Sequence, residues 1–191
     1  MNAPSLVTRT IDSITVEWQP LIGNSTGNSS IFSYDLMWDS GSGQTIYQLS
    51  DSLVTNYTVT GLTGGINYTF MVRAMNIYGY GAYSSNVTFE ASDVPQVMAI
   101  LNTSIVSGTY VRVQWTAPFD SYDPITSYSI MFQKADGTFV HDTTDCPGTN
   151  TSLLYCDIQM LSLITLTGLT QGSLIRVIGS AQNSNGWGAY S

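Results

Sequence analysis

Gly61–Gly81, GLTGGINYTFMVRAMNIYGYG, returns in degraded form as Gly168–Gly188, GLTQGSLIRVIGSAQNSNGWG. The copies align without a gap at an offset of 107 residues, with Gly61, Leu62, Thr63, Gly65, Ala74, Asn76, Gly79 and Gly81 matched by Gly168, Leu169, Thr170, Gly172, Ala181, Asn183, Gly186 and Gly188. An internal repeat of this length is the first fact that a fold assignment has to accommodate. Within the first copy Tyr68, Phe70, Val72 and Ala74 fall on every second position, the period of a strand with one buried face.

The sequence before Gly61 carries the same signature. Ser13–Trp18, SITVEW, alternates, with Ile14, Val16 and Trp18 on one face. Tyr34, Leu36 and Trp38 share a face of Ile31–Trp38, and Tyr57 and Val59 point inward from Asn56–Leu62. Further strands are expected at Leu6–Thr10, Thr45–Leu49 and Asn86–Glu90, with turns at Gly23–Ser30 and Asp39–Gly43. Seven short strands with a turn signal about every ten residues, and no helical periodicity, predict a two-sheet antiparallel sandwich.

The pattern restarts after a short linker, Ser92–Pro95, which lacks a Gly/Ser tract and predicts a stiff joint. Val111, Val113 and Trp115 repeat the first alternation, and Tyr128, Ile130 and Phe132 stand for Tyr34, Leu36 and Trp38. Ala135–Thr138 holds an Asp-Gly hairpin turn, and Ile164, Leu166 and Leu169 are aligned with Tyr57, Val59 and Leu62. The expected organisation is therefore all-β: two tandem sandwiches, residues 1–92 and 93–191.

A strand ending in Trp with Pro soon after, a Tyr-x-Leu/Ile-x-aromatic strand, and G-L-x-x-G-x-x-Y-x-F-x-V-x-A-x-N-x-x-G together resemble the fibronectin type III domain, of immunoglobulin-like fold. The resemblance implies a tyrosine corner built from Leu62 and Tyr68, the tyrosine hydroxyl bonding back to nearby backbone. Ile175 replaces the tyrosine in the second copy, which implies loss of that bond, and Gly179 thins the same strand. A second, narrower resemblance is to fibronectin-III-like repeats of very large surface proteins in ciliated protists. It is carried by Cys156, Ile158, Gln171, Gly172, Leu174, Ile175, Gln182, Asn183, Ser184, Gly186, Trp187 and Gly188, and implies a surface or ciliary location.

The only cysteines, Cys146 and Cys156, lie in an insertion spanning about Asp142–Ser162. Nine intervening residues suit a hairpin closed by a disulfide, for which loop-closure entropy suggests about 2.5–3 kcal/mol; two buried free thiols are the alternative. Asn-x-Ser/Thr occurs at Asn24, Asn28, Asn56, Asn67, Asn86, Asn102 and Asn150. Eleven asparagines among 47 Ser and Thr in 191 residues would give about three by chance. Strand alternation turns Asn56 and Asn67 outward, each preceding an inward tyrosine. Sequons with paired cysteines predict a secreted, N-glycosylated protein in an oxidising setting.

Composition narrows the function further. The chain is 43% hydrophobic but only 9% charged, against a typical value of about 25%. With a net charge of −8 and five scattered basic residues, it has no footprint for nucleic acid or for an anionic membrane surface. No apolar run is long enough to span a bilayer. His141 is the only histidine, and it reads as a loop residue beside Asp142 and Asp145. A calcium site from Asp120, Asp123 and Asp136 lacks recognised spacing, and a Glu17–Asp35 carboxylate pair has no cue for a raised pKa. No catalysis and no cofactor are expected. Tyr78, Tyr80 and Trp187 are candidate partner contacts, or packing positions against a neighbouring domain or glycan.

The second copy reaches Gly188-Ala189-Tyr190-Ser191 without the strand that follows Gly81-Ala82-Tyr83-Ser84 in the first. The expectation is that the natural chain continues or that a neighbouring copy donates the strand. The expected function is a structural repeat segment of a glycosylated fibre or cell-surface coat, its partners neighbouring repeats or copies of itself. The alternative is an adhesion or receptor ectodomain using the loops around Gly23–Ser30 and Ile77–Tyr80, and a third reading is an enzyme-associated spacer.

Overall fold

The computed structural model describes residues 1–39, 41, 43 and 52–191, and the backbone alone of 45–50. The turn expected at Asp39–Gly43 and the side chains of Thr45–Leu49 lie wholly or partly outside the described residues. Two compact units form, Met1–Ser92 and Asp93–Ser191.

In unit 1, β1 (Ser5–Arg9), β2 (Ser13–Glu17) and β5 (Asn56–Thr60) make one antiparallel sheet in the order β1-β2-β5. The second sheet is β4 (Thr45–Ser50), β3 (Ser33–Asp39), β6 (Asn67–Asn76) and the short β7 (Gly79–Tyr80), with β8 (Val87–Glu90) also on β6. The alternating residues meet between the sheets: Ile14, Val16, Tyr34, Leu36, Val59, Phe70 and Val72 are all buried. Trp18 meets Tyr34 edge-on at 6.0 Å, and Trp38 lies 5.9 Å from Tyr68. Removing such faces from water is what stabilises an otherwise short-stranded sandwich, at about 25 cal/mol per Å².

The tyrosine corner is present: the Thr63 N–H donates to the Tyr68 hydroxyl at 2.8 Å. In unit 2 the equivalent donor does not go begging, because the Thr170 N–H finds the Ser173 hydroxyl at 3.2 Å, three residues along the same turn.

Unit 2 repeats the architecture with β9 (Asn102–Val106), β10 (Tyr110–Gln114) and β13 (Tyr155–Gln159) in one sheet. Opposite lie β11 (Ser127–Gln133), β12 (Phe139–His141), β14 (Val177–Asn183) and the short β15 (Gly186–Trp187). Four expectations need correction. The strand corresponding to β5 is β13, not the segment holding Ile164 and Leu166: Ile158 stands opposite Val111, as Val59 stands opposite Ile14.

Ile164 and Leu166 instead belong to a helix, α1 (Met160–Thr167). Its buried residues are Leu163 and Thr167, four apart, a helical spacing that the period-2 reading of Ile164, Leu166 obscured. Gly168, with φ of 69°, ends the helix in the left-handed region, its N–H donating to Ile164 O at 2.8 Å.

The expected single insertion is two pieces, the loop 142–154 and α1, with β13 between them. Cys146 and Cys156 are bonded, but they do not close a hairpin. Cys146 sits in the loop leaving β12 and Cys156 in β13, so the bond pins the crossover from one sheet to the other. Gly148, at φ +68°, lays its backbone against β11. Its carbonyl accepts the Tyr128 N–H at 2.9 Å, and a Cβ there would collide with the Tyr128 carbonyl.

Gly179 is not a thin spot in β14. A Cβ at that position would lie 3.0 Å from Met98 Sδ and 3.1 Å from Leu101, both buried, so side chains from the start of the unit occupy the space. Leu174–Arg176 corresponds to the part of β6 that pairs with β8, and no strand takes that place among the described residues.

Candidate functional site

The chemistry-bearing side chains are dispersed. His141 lies on β12 with Nε2 3.2 Å from the Cys146 carbonyl oxygen, while Asp142 accepts the backbone N–H groups of Thr144 and Asp145. These are contacts that shape the disulfide loop. Asp120 and Asp123 lie before β11 and Asp136 in the hairpin after it, so the seven-residue strand separates them. Asp136 accepts from Thr138 and Lys134, and these bonds, led by the Thr138 hydroxyl, hold its carboxyl down to about 2. Among the described residues no group of three or more His, Cys, Asp or Glu side chains is arranged to hold a metal ion.

Glu17 and Asp35 stand on different sheets. Asp35 is 1% exposed and committed to Arg73, whose Nε and terminal nitrogen each lie 2.8 Å from Oδ2. The guanidinium is also stacked, 3.9 Å from the Tyr80 ring centroid and 4.5 Å from that of Tyr83, and the Tyr83 hydroxyl donates to the same carboxylate at 3.4 Å. Tyr80 therefore spends one face on Arg73 and remains half-exposed, whereas Tyr78, at the tip of the β6–β7 turn, is 83% exposed.

These tyrosines border a loop cluster that resembles a recognition surface. The loop between β2 and β3 and the β6–β7 turn meet at the same end of unit 1, latched by Asn76 Nδ2 donating to the Thr26 carbonyl at 2.9 Å. A cavity of about 410 Å³ opens between them, lined by Leu21, Thr26, Ile31, Asn76, Tyr78 and Tyr80 among others. Such a cleft, aromatic on one wall and polar on the other, can hold a ligand or a partner side chain.

In unit 2 the corresponding loops are tied together by hydrogen bonds. Asn183 Nδ2 reaches the carbonyl oxygens of Asp93, Asp120 and Asp123 at 2.7, 3.0 and 3.3 Å, and Ser184 donates to the Asp123 carboxylate at 2.6 Å. Trp187 on β15 is 45% exposed. An apolar cleft of about 610 Å³ lies elsewhere in this unit, lined chiefly by Ile105, Val111, Met160, Leu163, Ile164 and Ile175.

On the outer face of β10 and β13, Arg112 grips Asp157 through two bonds of 2.7 Å and covers Tyr155 at 4.2 Å. The hydrogen bonds from Arg112 hold the Asp157 carboxyl below its ordinary value. The spacing of Arg112 and Asp157 gave no warning of this pair, which only the β10–β13 register brings together.

All seven sequon asparagines are exposed. Asn67 opens β6 and Asn86 directly precedes its neighbour β8, and the hydroxyls of their sequon threonines, Thr69 and Thr88, meet at 3.0 Å. The remaining asparagines include Asn76 and Asn183, which are drawn into the latches described above.

The profile of the fibronectin type III domain matches residues 2–90 and again 95–191. The chain belongs to the fibronectin type III family. Fibronectin type-III domain-containing protein 3a of Gallus gallus is 30% identical over 122 residues, covering 61% of this chain and 10% of that protein. Integrin beta-4 of Homo sapiens is 26% identical over 152 residues, 79% of this chain and 8% of that protein. Endoglucanase B of Cellulomonas fimi is 34% identical over 115 residues, 56% of this chain and 10% of that protein.

The chain thus spans about a tenth of the curated relatives it matches. Among solved structures, chicken CNTN1 FN1-FN3 domains share the fold with a TM-score of 0.54 at 18% identity, over 99% of this chain and 62% of that one. The tandem fibronectin type III sandwich is thereby shown on sequence and on fold.

Proposed function

We propose that this chain is a non-catalytic segment of an extracellular surface protein, a pair of N-glycosylated fibronectin type III repeats within a fibre or cell coat. The observation that carries the reading is the sorting of asparagines: every sequon asparagine is exposed, while Asn76 and Asn183, outside sequons, serve as internal latches. A polar surface with few charged residues agrees with glycan contributing to solubility. The disulfide supports an oxidising compartment, and no helix among the described residues is long and apolar enough to cross a membrane.

The motif around Cys156–Gly188 supports kinship with repeats of large surface proteins in ciliated protists, and with it a surface or ciliary place. Neighbouring repeats or further copies of the chain are the partners this reading expects.

The cleft between Tyr78, Tyr80 and Thr26 favours a second reading, adhesion through loops, and the likeness to part of integrin beta-4 supports it. The likeness to part of an endoglucanase supports a third, a spacer attached to an enzyme. Electron microscopy of native material distinguishes the first two: filaments or rods with an axial repeat are expected, and discrete monomers with saturable ligand binding would replace the fibre with the adhesion module.

A further inference from the structure

The two units carry the same aromatic frame around different fillings. In unit 1, Tyr80 and Tyr83 flank Arg73, which Asp35 anchors. At the 107-residue offset Trp187, Tyr190 and Ser180 stand for Tyr80, Tyr83 and Arg73. Ser129 stands opposite Ser180 as Asp35 stands opposite Arg73.

The frame is held identically. Gly81 and Gly188 donate to Ala74 O and Ala181 O, each at 2.9 Å, and Ser84 and Ser191 donate to Val72 O and Gly179 O at 2.8 and 3.0 Å. The side-chain hydroxyls of Ser84 and Ser191 accept from Val72 N and Gly179 N, each at 3.1 Å. Trp187 pairs with Gln182 as Tyr80 pairs with Met75. The Tyr190 hydroxyl lies 3.1 Å from Ser129 Oγ, where the Tyr83 hydroxyl meets Asp35.

What differs is the filling. Ser180 is short and fully buried, its hydroxyl turned to the Gly188 carbonyl at 2.7 Å. Among the described residues no cation or ring stacks on Trp187 or Tyr190, and each is 45% exposed.

We propose that Trp187 and Tyr190 together bind an arginine side chain presented by another protein chain. The occupant is identified by unit 1, where the same frame closes on a guanidinium. A planar cation stacks on two rings at once, and Trp attracts it more strongly than the tyrosine it replaces. Charge favours the same occupant, since residues 93–191 hold seven aspartates against three Lys and Arg, a net −4. The Ser129 hydroxyl, 3.1 Å from that of Tyr190, stands where unit 1 has a carboxylate. This site rests on the repeat comparison and not on glycosylation or fibre formation, so its failure would leave the proposed function standing.

The test is an NMR titration of the whole 191-residue chain with N-acetyl-arginine amide, against N-acetyl-citrulline amide at matched ionic strength. The expected result is movement of the Trp187 indole and Tyr190 ring signals, with arginine binding about threefold tighter than its neutral isostere. Tyr80 and Tyr83 stay put, because Arg73 already lies against both. Ser129→Asp/Ser180→Arg, which rebuilds the filling of unit 1, abolishes the response. Should that variant fail to fold, Trp187→Ala serves in its place and removes the shift at Tyr190. Equal responses to both probes, equal movement of Tyr80 and Tyr83, or no response at Trp187 would each overturn the site.

Discussion

The hydroxyl of Tyr68 accepts the backbone N–H of Thr63 at 2.8 Å, from a side chain only 3% exposed. The bond fastens the turn leading into β6. Tyr68→Phe removes the hydroxyl while preserving the ring against Trp38. A loss of about 1–2 kcal/mol is expected in denaturant unfolding of unit 1. Ser173→Ala removes the corresponding acceptor in unit 2, but at an exposed turn where water replaces it, so a loss under about 0.5 kcal/mol is expected.

The Cys146–Cys156 bond confines its constraint to unit 2. Its reduction, or Cys146→Ser/Cys156→Ser, should destabilise that unit by about 2.5–3 kcal/mol and leave unit 1 unchanged. Calorimetry with separately assigned transitions checks this, and equal shifts in both would contradict it.

Arg73 and Asp35 are a pair in which one partner is almost wholly buried. Arg73→Ser strands the Asp35 carboxylate and should cost unit 1 about 3 kcal/mol. The double change Asp35→Ser/Arg73→Ser installs the residues that unit 2 uses and should cost less than the single change. A double-mutant cycle by urea unfolding measures the difference, and additivity would refute the coupling.

Acid should weaken unit 2 through Asp136 and Asp157, whose carboxyls are depressed in the folded state, that of Asp136 to about 2. Below the ordinary value of 3.8 the unfolded chain takes up protons that the folded one refuses. Their contribution is therefore complete above about pH 4 and lost as pH falls through the depressed values. Carboxyl-detected NMR titration should place Asp136 near 2, and Thr138→Val should move it up, since the Thr138 hydroxyl is the largest cause of the depression.

Much of the sandwich was legible because one buried face repeats at period 2: Tyr68, Phe70, Val72 and Ala74 announce β6, and Ile14 and Val16 announce β2. The helix α1 was not, since in MLSLITLT the burial of Leu163 and Thr167 competes with an equally good alternation through Ile164 and Leu166. Gly179 looked like a defect because Met98 and Leu101, which fill its space, lie about eighty residues away in sequence. The loss of the tyrosine corner was visible in Ile175, but its substitute, Ser173, depends on a turn geometry that spacing alone does not specify. Tyr80 and Trp187 were legible as candidate contacts. The difference between them was not, because it lies in whether position 73 or 180 supplies a guanidinium.

The most direct test of the account is the mass of the native protein before and after enzymatic removal of N-linked glycans, followed by peptide mapping. The prediction is a large mass loss, with most of Asn24, Asn28, Asn56, Asn67, Asn86, Asn102 and Asn150 converted to aspartate and Asn76 and Asn183 untouched. Identical masses before and after treatment would contradict it.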